Sequence, residues 1–377
     1  MNDHSLPFPM VVIEGPARNR GIAYGSACRD RIQKTIDFYR FIFRVEGKLD
    51  WGQALKAAAG FEAPISDFDM DMMEEIRGIA HGADVSVNEI LAVNARSELL
   101  FLLKSGSVLE KPCCTALAAV PDKGSDGATL MAQNWDWYRN TIDQCVLLVI
   151  RQPPRPTIIQ IVEAGLIAKM GVNSKGIGLC TNALLTDGWR MGVPYHAILR
   201  GILNAGSMAD AIGAVTKSRR ASAGNYLIGH RQGVAVDIEA SPDHFNILYP
   251  ENGLLIHTNH FTEANPANSD LMPGTWPDTI VRDLRARQLC DDRKTCADVE
   301  GIQRILSDHF DYPAGICTHP CGLIDPDVEW QTNVSIIMDL TRQTMLVSPG
   351  PPCENDYRRI DVKAHLEITD DPASADR

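Results

Sequence analysis

No long uninterrupted apolar run occurs in the 377 residues, so the ~20-residue stretch that a membrane-spanning helix needs is missing. Positive charge is also in short supply. Against 48 aspartates and glutamates stand 36 lysines and arginines, a net charge of -12 with a pI near 5.3. Without a basic cluster, a nucleic-acid-binding surface is not expected. Cysteine is sparse and scattered, 10 in the whole chain, which excludes a dense disulfide framework. Met1 to Pro9 mixes Asp3, His4 and two prolines where an export signal would be apolar, so a reducing cytoplasm is the expected location and most cysteines read as small core residues. There is no internal repeat, and the glycines from Gly171 to Gly178 lack the G-x-G-x-x-G spacing of a phosphate loop. A nucleotide is therefore not supported, and neither a cofactor nor a resident metal is expected.

What remains is a chain whose 45% apolar content can bury a large core. Ile13 to Arg20 reads as extended. Ile32 to Ile42 carries apolar residues at helical spacing, and Met70 to Ala80 resumes that spacing until Gly82 ends it. Ser86 with Glu89 fits a capping box opening a helix from Ile90 to Leu103. Past Cys114 the pattern turns β-rich: Thr115 to Val120, Ala128 to Trp135, Val146 to Arg151, Thr157 to Val162 and Ile177 to Asn182 read as a meandering antiparallel sheet. Helical stretches at Pro194 to Leu203 and Met208 to Val215 interrupt it. Strands return at Asn225 to Ile228, Val234 to Ile238, Phe245 to Tyr249 and Leu254 to His257, helices follow at Ile280 to Leu289 and Val299 to Leu306, and Asn333 to Leu340 pairs with Thr344 to Val347. Strand groups broken by paired helices favour an α+β fold over a doubly wound one.

The stretch from Lys111 to Asp136 is the most plausible seat of chemistry. Pro112 breaks the chain before the pair Cys113, Cys114; a short strand, a turn and a returning strand then bring Asp136 back beside the cysteines. A free thiol is only slightly ionised at neutral pH and needs a base. An α-amine, with a pKa of ~7.7 to 8.0, supplies one if the thiol and the amine belong to the same residue. Self-cleavage after Cys113 would create that arrangement at Cys114.

Several stretches together resemble the acyl-coenzyme A:isopenicillin N acyltransferase family, the C45 peptidase-like branch of the N-terminal nucleophile hydrolases. They are Tyr24, Gly25; Glu75 to Gly82; Cys114, Thr115; Gln133, Asn134, Trp135, Asp136; Glu163, Ala164, Gly165; Gly171 to Ser174 with Gly176; and His257, Thr258, Asn259, His260. The resemblance implies a four-layer αββα sandwich, with residues 1–113 as a helical small subunit and 114–377 as the sheet-bearing large one, intertwined as a single domain. It implies Cys114 as nucleophile, Asp136 as the carboxylate near it and Asn259 as oxyanion donor, the reaction running through a thioester acyl-enzyme. Expected partners are a small acyl amide, acyl-coenzyme A and the cleaved N-terminal segment, with no membrane. Ile316, Cys317, Thr318 and His319 stand where penicillin-forming members carry an arginine after an Ile-Cys pair, which argues against penicillin substrates.

Thr115, Glu163, Thr318 and His319 are the expected substrate contacts, although Glu163 also reads as a surface carboxylate at a strand end. Cys113 is the rival nucleophile. His257 and His260 flank Asn259, and neither is expected to act as a general base. The alternative from another class is a non-enzymatic, zinc-stabilised binding protein using Cys317, His319 and Cys321, with Cys290 and Cys296 upstream.

Overall fold

The computed structural model describes residues 8–102, 113–121, 127–290, 296 and 298–366. The expected break at Pro112, the turn between the first two site strands and the polar C-terminal tail lie outside the described residues. Fourteen strands are present among the described residues. These are β1 (Met10–Glu14), β2 (Cys113–Ala119), β3 (Leu130–Tyr138), β4 (Cys145–Arg151), β5 (Ile158–Glu163), β6 (Met170–Asn173), β7 (Ile177–Asn182), β8 (Gly224–His230), β9 (Val234–Ala240), β10 (Phe245–Leu248), β11 (Leu254–His257), β12 (Trp330–Asp339), β13 (Thr344–Pro349) and β14 (Arg358–Asp361).

They form two sheets rather than the one meander read from the sequence. One has the order β1-β4-β5-β6-β7-β8-β9-β10 and the other β11-β2-β3-β12-β13-β14. Pairing is antiparallel except between β1 and β4. The sheets face each other through β2 and β3 on one side and β7 and β8 on the other. Helices Tyr195–Leu203 and Met208–Thr216 pack on the outer face of the first sheet, and Asp278–Cys290 and Val299–Leu306 on that of the second. This is the expected αββα sandwich. Strands buried on both faces carry continuous apolar runs such as Val146 to Ile150 in β4, where strict alternation would appear only with one face in water. Each such side chain contributes roughly 1.5–3 kcal/mol by leaving water.

The segment before β2 is helical, as expected, but its punctuation differs. The first helix, Ala17–Ala27, begins inside the stretch read as extended, and Met70–Ala83 passes through Gly82 to a left-handed cap at Asp84. The glycines are contact residues here. A Cβ on Gly21 would lie 2.1 Å from the Glu75 carbonyl oxygen, and one on Gly82 would lie 2.2 Å from that of Ile22, so only glycine lets the two helices touch. The helix read from Ile90 to Leu103 is two, Val87–Asn94 and Arg96–Leu102. Asn94 at the break uses its side chain to hold the turn after β5, donating to the Gly165 carbonyl and accepting from the Ile167 N–H.

The N-terminal segment is woven into the body. It contributes β1 to the larger sheet. Glu75 lies buried between Arg20 and Arg200, each 2.8 Å away. Glu163 likewise meets Arg96 and accepts the Tyr39 hydroxyl at 2.8 Å. Among the described residues, no helix is long and apolar enough to cross a membrane.

Candidate active site

β2 and β3 set Cys113 opposite Asp136 and Cys114 opposite Trp135. Successive strand residues point to opposite faces, so the two cysteines part company. Cys114 packs with Ala116 and Ala118 in the core between the sheets, whereas the Cys113 thiol turns to helix Asp278–Cys290 and donates to Asp278 Oδ2 at 3.7 Å.

β11 ends at His257, opposite Ala116. Two residues beyond, the Asn259 side chain stands where a strand carbonyl would continue the ladder. Its Oδ1 accepts the Cys114 backbone N–H at 2.7 Å, while its Nδ2 donates to the Ala183 carbonyl at 3.0 Å. The Cys114 carbonyl accepts from Asn182 Nδ2 at 3.1 Å and from Arg282 Nη1 at 2.8 Å. Arg282 also donates to Thr115 Oγ1 and, through Nη2, to Asn259 Oδ1 at 3.0 Å. Cys114, Thr115, Asn182, Asn259 and Arg282 are all buried.

Asp136 is fully buried and accepts from Thr332 Oγ1 at 2.6 Å and Thr318 Oγ1 at 2.9 Å. The register of β12 against β3 shifts between Thr332 and Val334, and that irregularity sets Thr332 directly opposite Asp136. The Asp136 backbone N–H is bonded to the Cys114 thiol. Burial pushes that thiol up to about 11 in the uncut chain, against the opposing pull of the Lys169 ammonium. Lys169 itself lies over the Trp135 ring, 4.1 Å from its centroid, and burial together with the Arg96 guanidinium brings it down to about 8.

Cys114, Thr115 and Asn259 therefore come together, while the Asp136 carboxylate with Thr318 lies on the Cys113 face of the strand pair and meets the Cys114 thiol through its backbone N–H. Glu163 does not join them. It is fully buried against Arg96 and Tyr39, which corrects the surface reading and leaves its carboxylate occupied by the seam with the N-terminal helices. His319 faces His309, Cys317 and Cys353. Several motif residues are structural. Gln133 exchanges hydrogen bonds with the Thr181 backbone across the sheets, Asn134 holds the Leu306 and Ile316 carbonyls, and the Tyr24 hydroxyl accepts from the Gly165 N–H. His257 donates its ring to Glu239, and with Asp237 nearby it is raised to about 9 despite burial, which leaves it charged and unsuited to take a proton.

Sequence reading missed Asn182, Arg282 and Lys169. Asn182 ends a strand that was recognised, and its position opposite β2 was the available signal. Arg282 reads as a solvent-facing base on an amphipathic helix; only the packing of that helix on β2 and β11 turns it inward. The zinc set read from sequence also changes. Cys290 and Cys296 form a disulfide, contrary to the expectation of free core cysteines, and Cys321 is exposed.

The profile of the acyl-coenzyme A:6-aminopenicillanic acid acyl-transferase family matches residues 123–321. The acyl-coenzyme A:6-aminopenicillanic-acid-acyltransferase 40 kDa form of Emericella nidulans is 31% identical over 376 residues, 95% of this chain and 98% of that protein. The chain belongs to this acyltransferase family. Membership makes it an enzyme of the amide hydrolase or acyltransferase kind, and the non-enzymatic alternative falls. Similar solved structures include the R18L variant of conjugated bile acid hydrolase from Clostridium perfringens, with a TM-score of 0.49 and 14% identity, covering 67% of this acyltransferase-family chain and 93% of that one. Penicillin V acylase from Agrobacterium tumefaciens has a TM-score of 0.42 and 12% identity, covering 63% and 83%.

Proposed function

We propose that this enzyme is a self-processing amide hydrolase or acyltransferase whose nucleophile is Cys114, freed as an amino terminus by cleavage after Cys113. The observation that carries the reading is the short bond from the Cys114 backbone nitrogen to Asn259 Oδ1, with Asn182 and Arg282 fixing the carbonyl of the same residue. The two peptide units that flank the Cys114 α-carbon are each held by side chains, in a strand whose neighbours use backbone. In the uncut chain the thiol attacks the Cys113 carbonyl carbon, the bond to the Cys114 nitrogen breaks, and the acyl group passes to sulfur. Water then releases the Cys113 carboxylate and regenerates the thiol. Asn259 Oδ1 is already placed to keep the new α-amine beside that thiol.

In turnover the amine takes the thiol proton as sulfur attacks an acyl carbonyl, then gives it to the departing amine, leaving a thioester. Water as acceptor makes the enzyme an amidase; an amine or thiol acceptor makes it a transferase, with acyl-coenzyme A as a donor by analogy with the fungal relative. Asn259, carried over as oxyanion donor, retains one amide hydrogen beyond that given to Ala183; losing such a donor costs ~3–4 kcal/mol. The substrate class is a small acylated amine or amino acid derivative.

Residues 1–113 and 114–377 stay associated after cleavage in this reading, because β1, Glu75 and Glu163 tie the first piece into the second. Intact-mass analysis of purified protein is expected to show pieces of 113 and 264 residues, and Cys114→Ala to remain one chain. Turnover of an acyl amide by material in which the bond between Cys113 and Cys114 is whole would sink the proposal.

A further inference from the structure

Behind the turn that carries Thr318, four side chains from two separate loops converge. His309 Nε2 lies 3.1 Å from His319 Nε2, and Cys317 Sγ lies 3.4 Å from that same nitrogen. Cys353 Sγ is 3.3 Å from His319 Nε2 and 3.6 Å from Cys317 Sγ, and all four donor atoms fall within 4.8 Å of one another. A tetrahedral zinc ion with bonds of ~2.3 Å to sulfur and ~2.0–2.1 Å to nitrogen sets its two sulfurs roughly 3.8 Å apart, sulfur and nitrogen roughly 3.6 Å, and its two nitrogens roughly 3.3 Å. The four measured edges run in the same order and each is shorter by a few tenths of an ångström.

We propose that His309, Cys317, His319 and Cys353 hold a structural zinc ion that clamps the Thr318 turn against Asp136. Two thiolates and two imidazoles in a tetrahedron are the donor set of zinc. All four positions are filled by protein, which makes the site closed and structural. The surroundings fit as well. His319 presents Nε2 to the cluster while its Nδ1 lies 3.4 Å from Glu354 Oε1, the carboxylate contact that orients a ligating histidine. His309 and Cys353 are exposed, so an ion can reach the site from solvent. Three ligands come from the segment between helix Val299–Leu306 and β12, and the fourth from the loop after β13. The ion thus cross-links two loops, and Thr318, between two of the ligands, donates to Asp136.

The competing chemistry is a disulfide between Cys317 and Cys353. It would require the sulfurs to close to ~2.05 Å and would release both histidines. The test uses the full-length protein, purified without chelator or added reductant, with its disulfides mapped on the same material. Elemental analysis is expected to find one zinc per chain, and cobalt(II) replacing it to show tetrahedral ligand-field bands with thiolate charge transfer. His309→Ala and Cys353→Ser change exposed side chains and are each expected to weaken cobalt binding by at least the ~10–100-fold that loss of an outer partner costs. Cys321→Ser is expected to leave it unchanged. Should a variant fail to fold by circular dichroism, His309→Gln replaces it. Zinc-free wild type, a mapped Cys317–Cys353 disulfide, or cobalt affinity untouched by loss of Cys353 would each overturn the assignment. None of these readouts depends on acyl chemistry, so the proposal stands or falls apart from the cysteine mechanism.

Discussion

Two buried polar clusters use similar residues to opposite ends. At the seam between the N-terminal helices and the larger sheet, each carboxylate is met by arginine: Glu75 by Arg20 and Arg200, Glu163 by Arg96. Around Cys114, the Asp136 carboxylate takes two threonine hydroxyls, while Arg282 points at a backbone carbonyl, a hydroxyl and an amide oxygen. Arginine in the first cluster answers a charge. In the second, Arg282 also meets a carboxylate, Asp278 at 3.4 Å, but turns both its terminal nitrogens on the Cys114 carbonyl, Thr115 and Asn259. Burial and charge are common to both, so neither property alone marks a site; what separates them is where the donors aim.

The largest expected effect separates the two directly. Cys114→Ala should abolish both chain cleavage and turnover while leaving the fold intact, read by intact mass and circular dichroism. In that uncut background, Arg200→Ala at the seam should destabilise the chain by ~1.5–3 kcal/mol in urea titration, because it removes charged hydrogen bonds to Glu75 and leaves it with Arg20 alone in the core. With Cys114 restored, the same Arg200→Ala change should still give the two pieces. If it blocked cleavage while stability held, the comparison would break.

Next in size is Arg282→Gln, which loosens the Cys114 carbonyl, Thr115 and Asn259 together. Small misplacements of reacting atoms cost ~10²-fold, so kcat is expected to fall by about that factor with little change in urea stability. A loss of stability comparable to that at the seam would place Arg282 with the structural arginines.

Much of this fold was legible because local pattern and burial agreed. The strands from β7 to β11 and the helix Val299–Leu306 were read nearly to the residue, since apolar periodicity and turn residues mark their ends. Cys114, Asp136 and Asn259 belong to the ordered motif set that carried the family resemblance. What stayed hidden depends on contacts distant in sequence. Nothing local tells that Gly21 and Gly78 face each other, that Glu163 meets Arg96 rather than water, or that Cys353 rather than Cys321 joins Cys317 and His319. The order of the strands within each of the two sheets is of the same kind. Alternation reports that a strand is buried, but not against which partner.

The smallest effect lies beside the Cys114 cluster, at His257. Its carbonyl accepts from Asn182 at 3.4 Å, yet its ring is bonded to Glu239. Burial lowers its pKa, but the Asp237 and Glu239 carboxylates more than offset this and hold it at about 9, above the unfolded 6.5. A raised folded pKa means that the native state binds more protons through that interval. The stabilisation is complete below pH 6.5 and is lost as pH climbs through 9. Lys169, depressed to about 8 from 10.5, acts in the opposite sense and only above pH 8, and Asp237, raised to about 6 by burial, acts only below the interval. Between pH 6.5 and 8, uncut Cys114→Ala protein should therefore lose up to about 2 kcal/mol in urea titration, and His257→Gln should flatten that slope. The activity limb near the α-amine pKa of ~7.7–8.0 should survive His257→Gln in cleaved enzyme. Its disappearance would move His257 into the proposed catalytic cluster.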